Sequence, residues 1–317
     1  MPRFVSILLS LILIVPLCAQ EDSDLFAVVL GVAQDGGYPQ TGCQKACCKL
    51  AWQDKAERKF VSCVAVVDRK SNQRFLFDCT PDFREQLRLL DELAPVKGQG
   101  IGIDGIFLTH AHMGHYAGLI HLGLEAVGAD AVLVHGSERM AKFLSSNGPW
   151  SQLVKLKNIE LSPFEIDQEV RLNDRLAVTA FKVPHRDEFS DTVGFKITST
   201  EKSIVYLPDI DKWSKWDRAI EDVVKSADVA LLDGSFFDHG ELPGRDMSEI
   251  PHPFVAESIV RFSALDKDVR SRIKFIHLNH TNPAIQFSGD PKRNSAARKI
   301  YAAGMGLAKQ GEKIDLK

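Results

Sequence analysis

The apolar strand Gly105-Ile106-Phe107-Leu108 runs directly into Thr109-His110-Ala111-His112-Met113-Gly114-His115, and no other stretch limits the fold of this chain as much. Three imidazoles this close in sequence can meet at one point when a loop at a strand end presents them. Neutral imidazole is a common ligand for Zn, Fe, Mn or Ni, and first-row metals bind well to such clusters. The chain holds 10 His in 317 residues, so composition does not produce the spacing. A metal-binding loop on the edge of a sheet is the reading that follows, against the plainer one of three packed or solvated histidines.

The rest of the chain alternates between strand and helix patterns. Apolar or alternating runs predict strands over 25–32, 62–68, 74–77, 103–108, 131–134, 176–183, 193–198, 203–207, 229–232 and 274–278. Helical spacing predicts helices over 49–58, 82–92, 116–124, 138–144 and 252–262; in the second of these Phe83, Leu87, Leu90 and Leu93 fall near one face. A Gly-rich loop occupies 33–40. No internal repeat or long linker interrupts the alternation, which predicts one layered α/β domain over 21–317. His110, His185, Asp209 and His277 each fall at or near the end of a predicted strand. Function gathers on such loops, so these separated residues can meet at one sheet edge.

The first twenty residues differ from the rest. Arg3 precedes an apolar run from Phe4 to Leu17, broken only by Ser6, Ser10 and Pro16, and the acidic stretch Glu21-Asp22-Ser23-Asp24 follows. This predicts a signal peptide over 1–20 and an exported, periplasmic or secreted, protein; an uncleaved anchor is the alternative. Pro16 and Leu17 stand where a lipoprotein signal has small residues before its Cys, so lipid attachment at Cys18 is disfavoured. A net charge of −3 and the lack of a basic block argue against nucleic acid as a partner. A mean hydropathy of −0.10 argues against a polytopic membrane protein, and no membrane span is expected after the leader. Nothing in the sequence sets the oligomeric state.

Beyond the leader stand Cys43, Cys47, Cys48, Cys63 and Cys79. An odd number of thiols does not make a complete disulfide framework, so either one thiol stays free or some of them hold metal.

These strand-end residues resemble the metallo-β-lactamase superfamily, whose signature is His-x-His-x-Asp-His after a strand, followed by a lone His, an Asp and a final His. The matching positions are His110, His112 and His115, then His185 in Val-Pro-His-Arg-Asp, Asp209 in Tyr-Leu-Pro-Asp and His277 in Phe-Ile-His-Leu-Asn-His. The resemblance implies a four-layer αββα sandwich in a single domain. It also implies a first metal on His110, His112 and His185, and a second on His115 and His277 with Asp209 bridging. The signature Asp is Gly114 here, which predicts a weaker second site. Blocks 36–40, 81–87, 232–235, 244–252 and 277–283 resemble the branch containing the coenzyme PQQ biosynthesis protein B. Related phosphodiesterases of phosphonate metabolism imply a structural zinc, here on Cys43, Cys47, Cys48 and His280; a disulfide among these cysteines, or with Cys63 or Cys79, is the competing reading. The same relatives imply a substrate-side role for His252, which as a general acid can protonate a leaving oxygen. Its alternative is an exposed histidine at a helix start. Asp187 and Asp233 are candidates to orient ligand imidazoles. His121, His135 and His239 are expected to be structural or exposed.

The expected function is metal-dependent hydrolysis of an ester-type bond, a phosphodiester, lactone or similar, in a small-molecule substrate. One or two Zn ions, or Fe or Mn, would activate the water, with Asp209 and His252 as the catalytic side chains. The branch resemblance leaves an iron-dependent oxygenase or hydroxylase as an alternative, and a non-catalytic exported metal-binding protein is a third.

Overall fold

The computed structural model describes residues 23–96, 100–286 and 288–317; the expected leader over 1–20 lies outside them. Strand β1 (Leu25–Gly31) is buried along its whole length. Its alternate side chains enter two different cores. Leu25, Ala27 and Val29 point between two sheets, while Phe26, Val28 and Leu30 point under a layer of helices. A strand covered on both faces is apolar throughout rather than alternating. The strands that follow are β2 (Cys63–Asp68), β3 (Gln73–Phe77), β4 (Gly105–Phe107), β5 (Val132–Gly136), β6 (Ile159–Pro163), β7 (Glu169–Arg171), β8 (Leu176–Lys182), β9 (Val193–Ser199), β10 (Ser203–Leu207), β11 (Val229–Asp233), β12 (Ile273–Ile276), β13 (Gly306–Leu307) and β14 (Lys313–Asp315). The helices are α1 (Ala46–Gln53), α2 (Phe83–Leu93), α3 (Met113–Tyr116), α4 (Glu138–Ser146), α5 (Trp150–Lys155), α6 (Ile220–Lys225), α7 (Val255–Phe262), α8 (Lys267–Arg270) and α9 (Ser295–Ala302).

One sheet has the order β14-β1-β2-β3-β4-β5-β6 and the other β13-β12-β11-β10-β9-β8-β7. Each is antiparallel in one part and parallel in the other. In the first, β1, β2 and β3 pair antiparallel and β3 to β6 parallel. In the second, β7 to β10 pair antiparallel and β10 to β13 parallel. The outer face of the first sheet is covered by α2, α4 and α5 through Phe83, Leu90, Met140, Leu144 and Leu153. The outer face of the second is covered by α1, α6, α7 and α9 through residues such as Ala51, Val224, Phe262 and Ile300. The result is the expected four-layer αββα sandwich in a single domain.

Between the sheets, the Phe77 and Phe107 rings stack at 5.2 Å, and Phe195 meets both edge-on at 5.4 and 5.8 Å. This pins the centre of the first sheet against the second.

The helix predicted over 49–58 runs over Ala46–Gln53, with a 3-10 turn at Lys55–Glu57 after it. Three further expected elements have other bounds, each for a local reason. The helix predicted over 116–124 is a single turn, α3, followed by a 3-10 turn over Ala117–Leu122. At Gly118 a Cβ would come within 2.1 Å of the Thr80 carbonyl oxygen, so the chain is pressed against the loop after β3 there. Helix α7 begins at Val255 rather than 252, after Phe254, whose N–H donates to Glu257 Oε2 at 3.0 Å. The last long strand stops at Ile276, because His277 adopts a left-handed φ of 62°. The short edge strands β6, β7, β13 and β14 have too few apolar residues to be read from pattern alone.

Phe107→Ala is expected to lower stability by about 3–5 kcal/mol, the usual cost of emptying a ring-sized space in a packed core. A urea melt checks this; an unchanged midpoint would mean that the layer between the sheets repacks.

Candidate metal centre

Strands β1 and β3 of the first sheet run the same way as β4, and β8 runs the same way as β10, β11 and β12. Each of these strands delivers an acid or imidazole at or just beyond its end: Asp35, Asp78, His110, His185, Asp209, Asp233 and His277. The turn α3 adds His115. Function here therefore lies along one edge of the sandwich.

The donor atoms fall into adjoining groups. His110, His112, His185 and Asp209 form one, and Asp35, His115 and His277 another, with the ligand atoms of each within 4.8 Å of one another. In the first, His110 Nε2 and His112 Nδ1 lie 2.8 Å apart. Asp209 Oδ2 is 3.2 Å from His185 Nε2 and 3.5 Å from His110 Nε2. The same oxygen lies 3.9 Å from His115 Nε2, so Asp209 stands between the two groups. In the second, Asp35 Oδ1 is 3.2 Å from His115 Nε2 and 3.3 Å from His277 Nε2.

The chemistry of this set fits a metal. His115 Nε2 and His185 Nε2 are buried, and the carboxylate oxygens 3.2 Å from them are not aligned for a hydrogen bond, which leaves both without one among the described residues. Leaving a buried polar atom unpaired is costly, whereas a coordinating nitrogen needs that geometry. The opposite nitrogen of each ligand imidazole is held instead. Thr109 Oγ1 lies 3.0 Å from His110 Nδ1, Glu188 Oε2 3.2 Å from His112 Nε2, and Asp78 Oδ2 2.8 Å from His115 Nδ1. Asp211 Oδ1 lies 3.3 Å from His185 Nδ1, and Ser235 Oγ 2.9 Å from His277 Nδ1. Such partners fix which nitrogen faces the metal and how the ring is turned.

Opposing fields meet within this cluster. Burial lowers the basicity of His185, but Asp209 and Asp211 outweigh it and raise its pKa to about 10. Burial likewise disfavours charge on His115, yet Asp78 and Asp35 raise it well above the ordinary value. His110, buried and facing His115, is pushed well below it. Asp209 is buried, which favours its neutral form, and His185 and His252 nevertheless hold it well below the carboxylate range.

His252 is buried at this edge rather than exposed at a helix start. Its Nδ1 lies 2.9 Å from Asp233 Oδ2 and 3.2 Å from Asp209 Oδ1. Asp233 thus orients an imidazole, though it meets His252 and not one of the expected ligand rings. Asp187 does neither: it is exposed and paired with Arg139, so the expectation that it orients a ligand is corrected. His121 stacks on Phe83, His135 on Phe107, and His239 is exposed with its ring edge against Phe254.

A separate group lies on the loop before and within α1. Cys43, Cys47 and Cys48 Sγ atoms and His280 converge within 4.8 Å. His280 Nδ1 is 3.3 Å from Cys48 Sγ and 3.7 Å from Cys47 Sγ. No disulfide joins these or Cys63 and Cys79.

Sequence reasoning missed Asp35, Asp78, Glu188, Asp211 and Ser235. Asp35 and Asp78 carry the same signal as His110, a position just beyond an apolar strand. The other three carry none, because loop packing alone sets their distance to an imidazole.

A family model described as beta-lactamase superfamily domain matches residues 73–289. Coenzyme PQQ synthesis protein B of Xanthomonas euvesicatoria is 27% identical over 316 residues, covering 91% of this chain and 99% of that one. Among solved structures, zinc-bound PqqB from Methylobacterium extorquens has a TM-score of 0.76 at 21% identity and covers 92% of this chain and 100% of that one. A diphosphatase of the PhnP family has a TM-score of 0.62 at 21% identity, covering 92% and 96%. At these identities the solved structures bear on the fold.

Asp211→Asn should weaken metal binding by about 10–100-fold, the usual consequence of losing an acid behind a ligand imidazole. Competition against a chromophoric chelator measures it; unchanged affinity would mean that Asp211 does not hold His185.

Proposed function

This chain belongs to the metallo-β-lactamase superfamily, and on that premise we propose that it is a metal-dependent hydrolase acting on an ester-type bond of a small molecule, such as a phosphodiester or a lactone. The observation that carries the reading is the adjoining pair of buried donor groups with Asp209 between them. His110, His112, His185 and Asp209 would hold one ion, and His115 and His277 would serve the second. When bound, such an ion supplies Lewis acidity and lowers the pKa of a water from 15.7 to about 7.

The side chains do the rest. Asp209 directs one carboxylate oxygen at the donor groups and the other at His252. Asp233 holds His252 Nδ1, so the ring is fixed and its other nitrogen is the one left to hand a proton to a leaving oxygen. Ligand imidazoles turned by their own partners keep the edge preorganised.

The Cys43, Cys47, Cys48 and His280 group supports a separate, structural zinc. Three sulfurs and one imidazole make a closed tetrahedral set. Burial, and then the neighbouring sulfurs, push the Cys48 thiol up to about 12, so the thiolate that a zinc ligand must be forms there through the metal itself. The apolar leader over 1–20 supports export.

The branch resemblance read from blocks such as 36–40 and 277–283 implies a second reading, iron-dependent oxidation. Iron in stoichiometric amount with O2 uptake is its signature; hydrolysis by the zinc or manganese form without O2 uptake is that of the first.

Purified His110→Ala is expected to lose turnover on a panel of phosphodiesters and lactones, and full activity in that variant would sink the hydrolase reading. His252→Ala should keep its metal and lose about 10²–10⁴-fold in kcat, as expected for a missing general acid. Cys48→Ser should release one zinc per chain by elemental analysis and lower the melting temperature while the active-site metal stays; an unchanged count would remove the structural zinc.

A further inference from the structure

The position that breaks the superfamily's signature is the position against which Asp35 packs. A Cβ on Gly114 would lie 2.4 Å from Asp35 Oδ1, 2.6 Å from its Cα and 2.7 Å from its Cγ. Real Cβ atoms essentially never come that close, and here the obstacle includes backbone as well as a carboxylate. An Asp at 114 and the present Asp35 therefore cannot occupy this edge together.

The loop that carries Asp35 is tied to the strand end that carries His277. The Gln34 N–H donates to the Leu278 carbonyl at 2.9 Å, and the Leu278 N–H donates to the Val32 carbonyl at 2.7 Å. The Gly37 N–H closes the turn onto the Gln34 carbonyl at 2.8 Å. These bonds bracket Asp35 and His277, and they leave Asp35 Oδ1 3.3 Å from His277 Nε2 and 3.2 Å from His115 Nε2. Asp35 keeps about a quarter of its side-chain surface open (26%), whereas both imidazoles are fully buried (0%). Its carboxylate is therefore the member of this group that faces both the metal position and incoming solvent.

We propose that Asp35 is the acid of the second metal site, moved from the histidine loop to the loop after β1, and that Gly114 is the space this move requires. The inference rests on the metal-dependent reading above. Position 114 is then not a lost ligand, and the second site is complete: Asp35, His115 and His277, with Asp209 shared. Asp35 would help hold the ion, and the solvent-facing side of its carboxylate would orient an incoming water.

The test counts metal without using turnover. Mn2+ suits oxygen and nitrogen donors and is poorly matched to the thiolate cluster. Titrating the full chain with Mn2+ and following the free-ion EPR signal gives the ions bound per chain and their affinities. The native protein is expected to bind two. Asp35→Asn, nearly isosteric, should keep the first ion and weaken the second by more than about 100-fold, beyond what losing an outer partner costs. Asp35→Gly should do the same. Gly114→Asp alone should lose the second ion or the fold, which circular dichroism distinguishes, and either result supports the steric exclusion. Two tight ions in Asp35→Asn would overturn the assignment of Asp35 and leave the metal-dependent reading standing. A native chain that binds no Mn2+ at this edge would overturn the metal-dependent reading itself.

Discussion

The Tyr206 hydroxyl crosses from the second sheet to donate to Asp78 Oδ2 at 3.1 Å, and the same oxygen holds His115 Nδ1 at 2.8 Å. All three residues are buried, so the layer between the sheets and the metal-binding edge form one connected structure. Tyr206 is held in turn by Phe77, whose ring lies 6.5 Å away, and Phe77 by Phe107 and Phe195. Aromatic groups of this size dominate core energetics and pack with specific geometry. A change in the offset between the sheets would pull Tyr206 from Asp78 and turn the His115 ring. The separate strand ends meet where the packed layer between the sheets and this contact hold the two sheets together.

Backbone strain reaches the same edge. Asp78 and His277 adopt left-handed φ values of 69° and 62°, a region uncommon for residues other than glycine. Such positions cost on the order of 1–3 kcal/mol each and persist where the surroundings over-determine them. Here the Asp78 N–H donates to the Phe107 carbonyl at 2.7 Å, and its carboxylate accepts from the Thr109 N–H and hydroxyl. Ser235 holds His277, and the Leu278 backbone pairs with the loop after β1. The strain turns each side chain out of the sheet at the strand end and toward the common point.

Much of the fold was readable as pattern. The fully buried runs of β1, β2 and β10 announce strands covered on both faces, and Phe83 and Leu90 mark the inward face of α2. The helix predicted over 116–124 failed because its apolar spacing is right but Gly118 packs against the loop after β3, a contact invisible in local sequence. The edge strands β7 and β14 hold too few buried residues to leave a signal. In the site, His110, His112, His115, His185, Asp209 and His277 could be read from residue type and strand-end position. Their orienting partners could not, because Glu188, Asp211 and Ser235 look like ordinary polar loop residues until the loops are packed.

The sequence by itself pointed to the kind of chemistry, a candidate metal edge built from imidazoles and the Asp209 carboxylate at strand ends, because residue type and local periodicity are written in adjacent positions. The tertiary structure alone decided whether the second half of that edge is complete. Read along the chain, Gly114 is a missing acid. Read in space, it is the room in which Asp35 stands, delivered by a loop distant in sequence and held beside His277 by backbone bonds to Leu278. A ligand set depends on where atoms converge, and convergence between distant loops is a property of how the two sheets pack.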